Sequence, residues 1–372
     1  MGFEINPFWF QYLVIVMVTF IGFIVPFLLK ENILFGSRIP NEIINHPEIN
    51  NLRSNFKHLY LTVFIPFLVL LGLFLYNSPN DLYVTIGIIT EVIFLLVIYA
   101  IYNKKAKDLK YELLNRENIN TQREVSTIDT SFRNEKYLIS IWWFLPSLLI
   151  ILLNILIILL YYNKIPDQIA LHFNLQGKIT QLTDKSYWHV FLIPITSITI
   201  FLTFIVIYFS IKTSKQDLDS NKPVTSKLKD KYFRLIWSDY SIIICTILVT
   251  WMLFVSLHMD KLFVISSKTF EAFNIAMPVL ILSTVLILVI KTGQSGNRLK
   301  LKMNEPATGI NNIDDDSYWK LGMIYYNPND PSLFVQKRMG IGWTVNLGRP
   351  AGIAILVALI VIPLIIKLIS KR

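Results

Sequence analysis

Residues Asn163–Lys185 read NKIPDQIALHFNLQGKITQLTDK and lie between two long apolar stretches, Trp142–Tyr162 and Trp188–Ile211. Pro166 and Gly177 interrupt helical periodicity inside this polar segment. Because about 20 apolar residues are enough for a helix to cross a bilayer, the flanking stretches are predicted to be membrane spans. The polar segment is therefore predicted to emerge from the membrane and to form the main candidate ligand-binding surface.

Composition supports a membrane protein. Hydrophobic residues make up 53% of the 372 residues and charged residues only 16%, whereas about a quarter of an ordinary soluble domain is charged. The apolar runs lack the period-two alternation of a barrel. We therefore predict an all-α fold, a polytopic transmembrane helix bundle of about eight spans, with short amphipathic interfacial helices and a turn-rich cytoplasmic tail segment. The predicted spans are Phe8–Leu29, Leu59–Tyr76, Tyr83–Tyr102, Trp142–Tyr162, Trp188–Ile211, Tyr240–Leu257, Phe273–Ile290 and Ala351–Leu368.

Lysine and arginine residues predict the orientation, since basic loops stay on the cytoplasmic side far more often than they cross. Of the 35 such residues, 27 lie in one alternating set of loops, namely Lys30–His58, Asn103–Ser140, Lys212–Trp237 and Lys291–Pro350. We predict a multi-pass plasma-membrane protein with this set in the cytoplasm and both termini extracellular. Lys371 and Arg372 oppose this orientation, which leaves a re-entrant or interfacial helix as the alternative for the last span.

The predicted partners follow from the charge pattern. The net charge of +10 is explained by cytoplasmic loops that lie against anionic lipid, so the bilayer is the expected partner and no nucleic acid is predicted.

Two further segments are interpreted from their periodicity and their charge. An amphipathic interfacial helix is predicted from Asn41. The charged stretch Lys104–Lys136 is predicted to be a solvated connector with helical stretches and little core.

The polar segment also carries a family resemblance. Its motifs Ile165-Pro166-Asp167, His172-Phe173-Asn174, Gly177 and Lys185 resemble domain of unknown function 1648, the family of the sporulation-delaying-toxin immunity protein of bacilli. The resemblance implies a bacterial, Gram-positive protein involved in immunity or envelope-stress signalling. An amphipathic peptide is then the expected ligand outside, and its predicted binding residues are Pro166, Asp167, His172, Asn174, Gly177 and Lys185.

A second resemblance lies near the C-terminus. The motifs Asn327-Pro328, Asp330-Pro331, Phe334, Lys337-Arg338, Gly340, Gly342-Trp343 and Asn346 resemble domain of unknown function 5808. We predict that this segment is a compact hairpin that binds a soluble regulator inside the cell. The predicted partner-binding residues are Asn327, Asp330, Phe334, Lys337, Arg338 and Trp343.

These patterns predict four regions. Residues 1–140 form an N-terminal membrane region with three spans and basic cytoplasmic loops, and residues 141–292 form a core membrane domain that resembles family 1648 and carries the outer loop 163–187. Residues 293–350 form the cytoplasmic segment that resembles family 5808, and residues 351–372 form the last span and the C-terminus.

Two polar residues are predicted inside the membrane. Glu91 lies near the middle of its span, where a charged carboxylate costs about 2.5–3.5 kcal/mol, and Asn154 in the next span is its expected hydrogen-bond partner. The functional interpretation is a proton or cation relay, or part of a ligand cavity. The structural interpretation is a protonated acid that holds helices together.

No catalytic residues, metal ligands or cofactors are predicted. His172, His189 and His258 lack metal-ligand spacing, and the cluster Asp314–Asp316 is interpreted as a solvated acidic turn. Cys245, the only cysteine, is expected to be a buried, inert thiol. No motif of a known enzyme class is present, so the sequence predicts binding rather than catalysis. The alternatives are a membrane transporter or channel that uses Glu91, and a membrane scaffold protein.

Overall fold

The computed structural model describes residues 7–78, 81–119, 124–125, 137–173 and 179–369. Most of them are helical, because an apolar segment in lipid must satisfy its backbone hydrogen bonds internally. Among the described residues, eight α-helices are present: α1 Pro7–Ile24, α2 Pro47–Asn77, α3 Asp81–Arg116, α4 Leu145–Tyr161, α5 Tyr187–Thr213, α6 Pro223–Met259, α7 Ser267–Thr292 and α8 Pro350–Ile369.

Helices α2 to α7 are long and apolar enough to cross a membrane. Two further apolar helical segments are shorter, Tyr12–Phe27 and Pro350–Ile362. Each predicted span overlaps one of the eight helices, so the prediction of an all-α polytopic helix bundle is confirmed. The chain is a multi-pass membrane protein, and its exposed apolar helix surfaces are in contact with the lipid bilayer.

Short strands connect the helices. The strands are β1 Ile33–Leu34, β2 Ser37–Arg38, β3 Glu124–Val125, β4 Gln168–Phe173, β5 Ile179–Asp184, β6 Asn311–Asn312, β7 Trp319–Lys320, β8 Ile324–Tyr325, β9 Phe334–Gln336 and β10 Trp343–Val345. Four antiparallel pairs form, β1–β2, β4–β5, β7–β8 and β9–β10, together with the parallel pair β3–β6. The predicted C-terminal hairpin is thus present as β9–β10.

The chain divides into two compact units. Unit 1 comprises Met1–Arg133, Lys215–Phe233 and Thr284–Arg349, and unit 2 comprises Asn134–Ser214, Arg234–Ser283 and Pro350–Arg372. Each unit contains its own hydrophobic core, and each is described separately below.

The core of unit 1 is aromatic. The ring of Phe56 lies 5.0 Å from that of Phe35, 5.2 Å from that of Tyr102 and 5.4 Å from that of Tyr60, measured between ring centroids. Aromatic pairs at such distances contribute about 0.5–1.5 kcal/mol each beyond their buried area. These contacts hold α2 and α3 against the β1–β2 turn.

The core of unit 2 is formed by α4, α5 and α6. It contains the buried residues Phe144, Ile151, Tyr208, Ile242, Cys245 and Val249. Cys245 is therefore buried among apolar side chains, as predicted.

A close approach of two backbones fixes the β1–β2 turn in unit 1. Gly36 has a φ of +83°, and a Cβ atom at this position would lie 2.5 Å from the carbonyl oxygen of Gly322. Only glycine fits, because a side chain would require both a left-handed backbone and a displaced neighbour.

Two interpretations of the unit 1 sequence were wrong. The predicted interfacial helix from Asn41 does not form separately, because the chain turns as far as Asn45 and α2 then starts at Pro47 and continues directly into the apolar stretch. The predicted solvated connector begins instead as the continuation of α3, in which Ala106, Lys110 and Leu113 are buried. The part of this stretch beyond residue 119 lies largely outside the described residues.

Candidate functional site

The polar segment of unit 2, predicted as an outer loop, forms an antiparallel hairpin of β4 and β5. Gln168 pairs with Asp184 and Ala170 with Leu182, and the register shifts on either side of His172. The β-branched residues Ile179, Thr180 and Thr183 are the sequence signal that favours a strand here.

Lys185 closes the base of the hairpin. Its backbone N–H donates to the carbonyl oxygen of Asp167 at 2.7 Å, and its ammonium donates to the carbonyl oxygen of Ile165 at 2.8 Å. The ammonium also lies 3.7 Å from the carboxylate of Asp167 and over the ring of Tyr162, which stacks on Tyr187. Lys185, predicted as a ligand-binding residue, is therefore occupied in fixing the hairpin.

His189 anchors the hairpin to the first turn of α5. The hydroxyl of Ser186 accepts the backbone N–H of His189 as a helix cap. The Nδ1 atom of His189 lies 3.0 Å from the carbonyl oxygen of Asp184 and 3.0 Å from the hydroxyl of Ser186. Within the described residues, no group of three His, Cys, Asp or Glu side chains converges as a metal site requires.

The two strands differ in burial. In β4, Ile169, Ala170 and Leu171 are buried, and Ile169 packs in a cluster with Ile158, Ile165 and Val190. In β5, by contrast, Ile179 is 46% and Leu182 50% exposed. Among the described residues, β5 pairs only with β4, so its other edge has no strand partner, and its apolar side chains are exposed. Exposed edges of this kind can pair with another extended chain.

The other predicted ligand-binding residues have different fates. Pro166 is half-buried and Asp167 is fully exposed. The backbone of His172 lies in β4, whereas its side chain, together with Asn174 and Gly177, lies outside the described residues. Their predicted role stays a prediction.

Unit 1 contains a buried network of ion pairs. Asp316 is 4% exposed and accepts hydrogen bonds from the Lys110 ammonium at 2.7 Å, the Ser37 hydroxyl at 2.5 Å and the Arg38 backbone N–H at 2.9 Å. Lys110, 2% exposed, also donates to Asp314 at 2.8 Å. The prediction of a solvated acidic turn at Asp314–Asp316 was therefore wrong for Asp316, whereas the side chains of Asp314 and Asp315 are 37% and 33% exposed.

The network has balanced charge. Its four cations are Lys30, Arg38, Lys110 and Arg338, and its four anions are Asp217, Asp314, Asp315 and Asp316. Burial alone would raise the pKa of Asp217, but the positive charges of Arg38 and Lys30 hold it well below its usual range. Buried charges persist only when they are paired in this way.

The residues predicted to bind a cytoplasmic partner are mostly internal to unit 1. The amide nitrogen of Asn346 donates to the carbonyl oxygen of Asn327, and Asp330 accepts from the hydroxyl of Tyr325 at 2.8 Å. Of the six predicted residues, Asn327, Asp330, Phe334 and Arg338 are buried, whereas Lys337 and Trp343 are half-buried. Buried side chains cannot form a docking surface, so these four stabilise the β9–β10 segment instead.

Glu91 is buried in unit 1 and accepts a hydrogen bond from the hydroxyl of Thr19 at 2.5 Å. The hydroxyl of Tyr60 donates to the carbonyl oxygen of Thr19, so polar groups of α1, α2 and α3 meet at this point. The hydroxyl of Thr19, and not the predicted Asn154 of unit 2, is thus the hydrogen-bond partner that the structure gives Glu91. The side-chain oxygen of Asn154 is buried and has no partner among the described residues.

Sequence reasoning missed the burial of an acid in unit 2. Asp260 follows the last residue of α6 and is 3% exposed, and its Oδ2 atom has no hydrogen-bond partner in the described part of the chain. Burial raises the pKa of Asp260 to about 7, and Ser256 offsets part of the rise. A lone carboxyl at a helix end gives no sequence signal for such burial.

The fold and the hairpin define an α-helical, multi-pass membrane protein with a β-hairpin between two of its spans. Residues 149–198, which contain this hairpin, match the domain of unknown function DUF1648, and residues 328–353 match the family of unknown function DUF5808. Both resemblances are thereby confirmed. No curated protein and no solved structure matches the chain.

Proposed function

We propose that this plasma-membrane protein acts by binding and not by catalysis, and that its ligand is an extended amphipathic peptide that pairs with strand β5 at the outer face. The observation that carries the proposal is the exposed edge of β5, held rigidly by Lys185 and His189. Backbone pairing would supply affinity, and the apolar side chains of Ile179 and Leu182 would select an amphipathic partner. An immunity or envelope-stress function follows if that peptide is a membrane-active toxin.

Charged substitutions on β5 test this binding. In phosphatidylcholine nanodiscs, a fluorescent peptide of alternating leucine and lysine should bind the wild-type protein, as measured by fluorescence anisotropy. The double variant Ile179→Lys with Leu182→Lys should weaken binding about tenfold or more, because apolar contacts are replaced by like charge.

Val264→Lys is the matched control, since Val264 is an equally apolar and more exposed residue on the α6–α7 turn. Its affinity for the peptide should equal that of the wild type. Equal losses in the hairpin variant and the control, or no binding to the wild type, would count against peptide pairing at β5.

We further propose that unit 1 couples to a soluble cytoplasmic partner through the β7–β8 hairpin. Leu321, Ile324 and Tyr326 form an exposed apolar patch there, unlike the buried residues of the β9–β10 segment. Such patches mark interaction sites. A photocrosslinker attached at Leu321→Cys should capture one soluble protein, and capture of lipid alone would refute this coupling.

Thiol labelling tests the proposed orientation. Cys245 is buried, so a membrane-impermeant maleimide should react only with an introduced thiol. Asp167→Cys is expected to be labelled in intact cells and Leu321→Cys only after lysis. The reverse pattern would invert the protein and exclude an encounter with peptides from outside.

The contact between Glu91 and Thr19 favours a second candidate function, transport. A buried carboxyl group that accepts a hydrogen bond from a hydroxyl, at a point where polar groups of three helices meet, can carry a proton. Glu91→Gln should abolish proton uptake by proteoliposomes if the protein transports. Unchanged proton uptake, with unchanged yield of folded protein, would assign Glu91 a purely structural contact.

A further inference from the structure

A polar cavity lies in unit 1, where the chain leaves α1, enters α6 and leaves α7. Its volume is about 400 Å³, and all of its lining residues except Ile44 are polar. This volume falls within the range of small-molecule sites, about 300–1,000 Å³. The proposed peptide and coupling functions do not use this cavity.

Hydrogen bonds join the two segments that line the cavity after α1 and after α7. The backbone N–H of Gln294 donates to the carbonyl oxygen of Leu28 at 3.0 Å, and the backbone N–H of Lys30 donates to the side-chain oxygen of Gln294 at 2.8 Å. The amide nitrogen of Asn297 donates to the carbonyl oxygen of Leu29 at 2.7 Å. The segments after α1 and α7 are thus fixed to each other before any ligand binds, which lowers the entropy cost of binding.

The rim is also ordered. The backbone N–H of Asp219 donates to the hydroxyl of Ser226 at 2.8 Å. The carboxylate of Glu305 accepts the backbone N–H groups of Val224 and Thr225 at 2.9 Å and 2.7 Å, which caps the first turn of α6. The helix end is therefore satisfied internally, and a ligand must be recognised by the side chains of the lining.

Charge and free donors indicate which ligand fits. The lining contains three lysines, Lys30, Lys222 and Lys229, and two acids, Glu31 and Asp219. The ammonium of Lys30 is paired with Asp217, so Lys222 and Lys229 are the lysines that can face a ligand. Lys229 uses one of its three donors on the carbonyl oxygen of Asn297 at 2.8 Å. Among the described residues, the side-chain amides of Asn32 and Asn45 make no hydrogen bond. The cavity therefore offers ammonium and amide donors to an acceptor-rich ligand.

We propose that this cavity binds a hydroxyl-bearing phosphate ester of the glycerol phosphate type. Lysine ammonium groups bind phosphate as point charges, and the amides and hydroxyls of the lining suit the hydroxyls of the ester. An apolar ligand would find only Ile44, and a metal ion would find no group of three acidic, His or Cys ligands among the described residues. The ester comes either from a lipid headgroup, since α1 and α7 end beside the cavity, or from a soluble metabolite.

A charge inserted into the lining provides the test. Asn45 is exposed and makes no internal side-chain hydrogen bond among the described residues, so Asn45→Asp should preserve the fold while it repels phosphate. Asn51→Asp is the matched control, because Asn51 is exposed on the second turn of α2 and does not line this cavity. The full-length variants are measured in phosphatidylcholine nanodiscs, where their melting temperatures should equal that of the wild type.

The two sources of the ester give different results. If the source is soluble, sn-glycerol 3-phosphate binds the wild type and Asn51→Asp in calorimetry. The affinity of Asn45→Asp for this ester is then at least about tenfold lower. If the source is lipid, nanodiscs with phosphatidylglycerol raise the melting temperature of the wild type and Asn51→Asp, but not of Asn45→Asp. The proposal is overturned if neither ester has an effect, or if both variants respond alike.

Discussion

Asp316→Asn is expected to lower the free energy of unfolding of unit 1 by about 3–5 kcal/mol, because it removes one charge from a buried and balanced network. The remaining carboxylates would then face an excess of one positive charge. The buried ammonium of Lys110 would keep only Asp314, at 2.8 Å, as a charged partner. The melting temperature in detergent, followed by intrinsic tryptophan fluorescence, should fall by roughly 10 °C.

Asp108→Asn provides the comparison. Asp108 lies two residues before Lys110 on α3 but is exposed, so its substitution should change the melting temperature by little. The double variant Lys110→Met with Asp316→Asn restores the charge balance and should lose less stability than the two single variants together. Strictly additive losses would show that the network does not act as a coupled unit.

The network illustrates what the sequence could and could not predict. Eight apolar stretches identified the helices, since span length and hydropathy are local properties. The partners of Asp316, by contrast, lie more than 200 residues earlier, at Ser37, Arg38 and Lys110. Three consecutive aspartates in a turn-rich segment resemble a solvated turn unless such distant partners are known. The acidic cluster was misread for that reason.

Long-range pairing also explains the errors at the candidate site. The β4–β5 hairpin depends on Lys185, His189 and the ends of α4 and α5, because an isolated two-stranded hairpin is barely stable in water. Asn154 was chosen as the partner of Glu91 because its span follows in sequence, yet Thr19 on α1 makes the contact. Conversely, the family motifs located the hairpin correctly, since they are contiguous in sequence.

Asp260→Asn is expected to stabilise unit 2 at alkaline pH and to change little at pH 4 or below. The folded protein holds the pKa of Asp260 at about 7 by burial, whereas the unfolded chain has the ordinary value near 3.8. Between these values the folded state binds a proton that the unfolded state does not, so the free energy of unfolding falls as the pH rises from about 4 to 7. The full difference amounts to about 4 kcal/mol at most.

Melting temperatures measured from pH 4 to pH 8 check this expectation. The wild type should lose stability relative to Asp260→Asn as the pH rises, because the variant has no buried carboxyl to ionise. Asp184→Asn changes an exposed position of the hairpin, so its melting temperature should vary with pH in the same way as that of the wild type. If the melting temperature of Asp260→Asn also varies with pH as that of the wild type does, the carboxyl group of Asp260 is solvated in the folded protein. The α6–α7 turn, where Leu262 packs against the hairpin base, would then not respond to the protonation of Asp260.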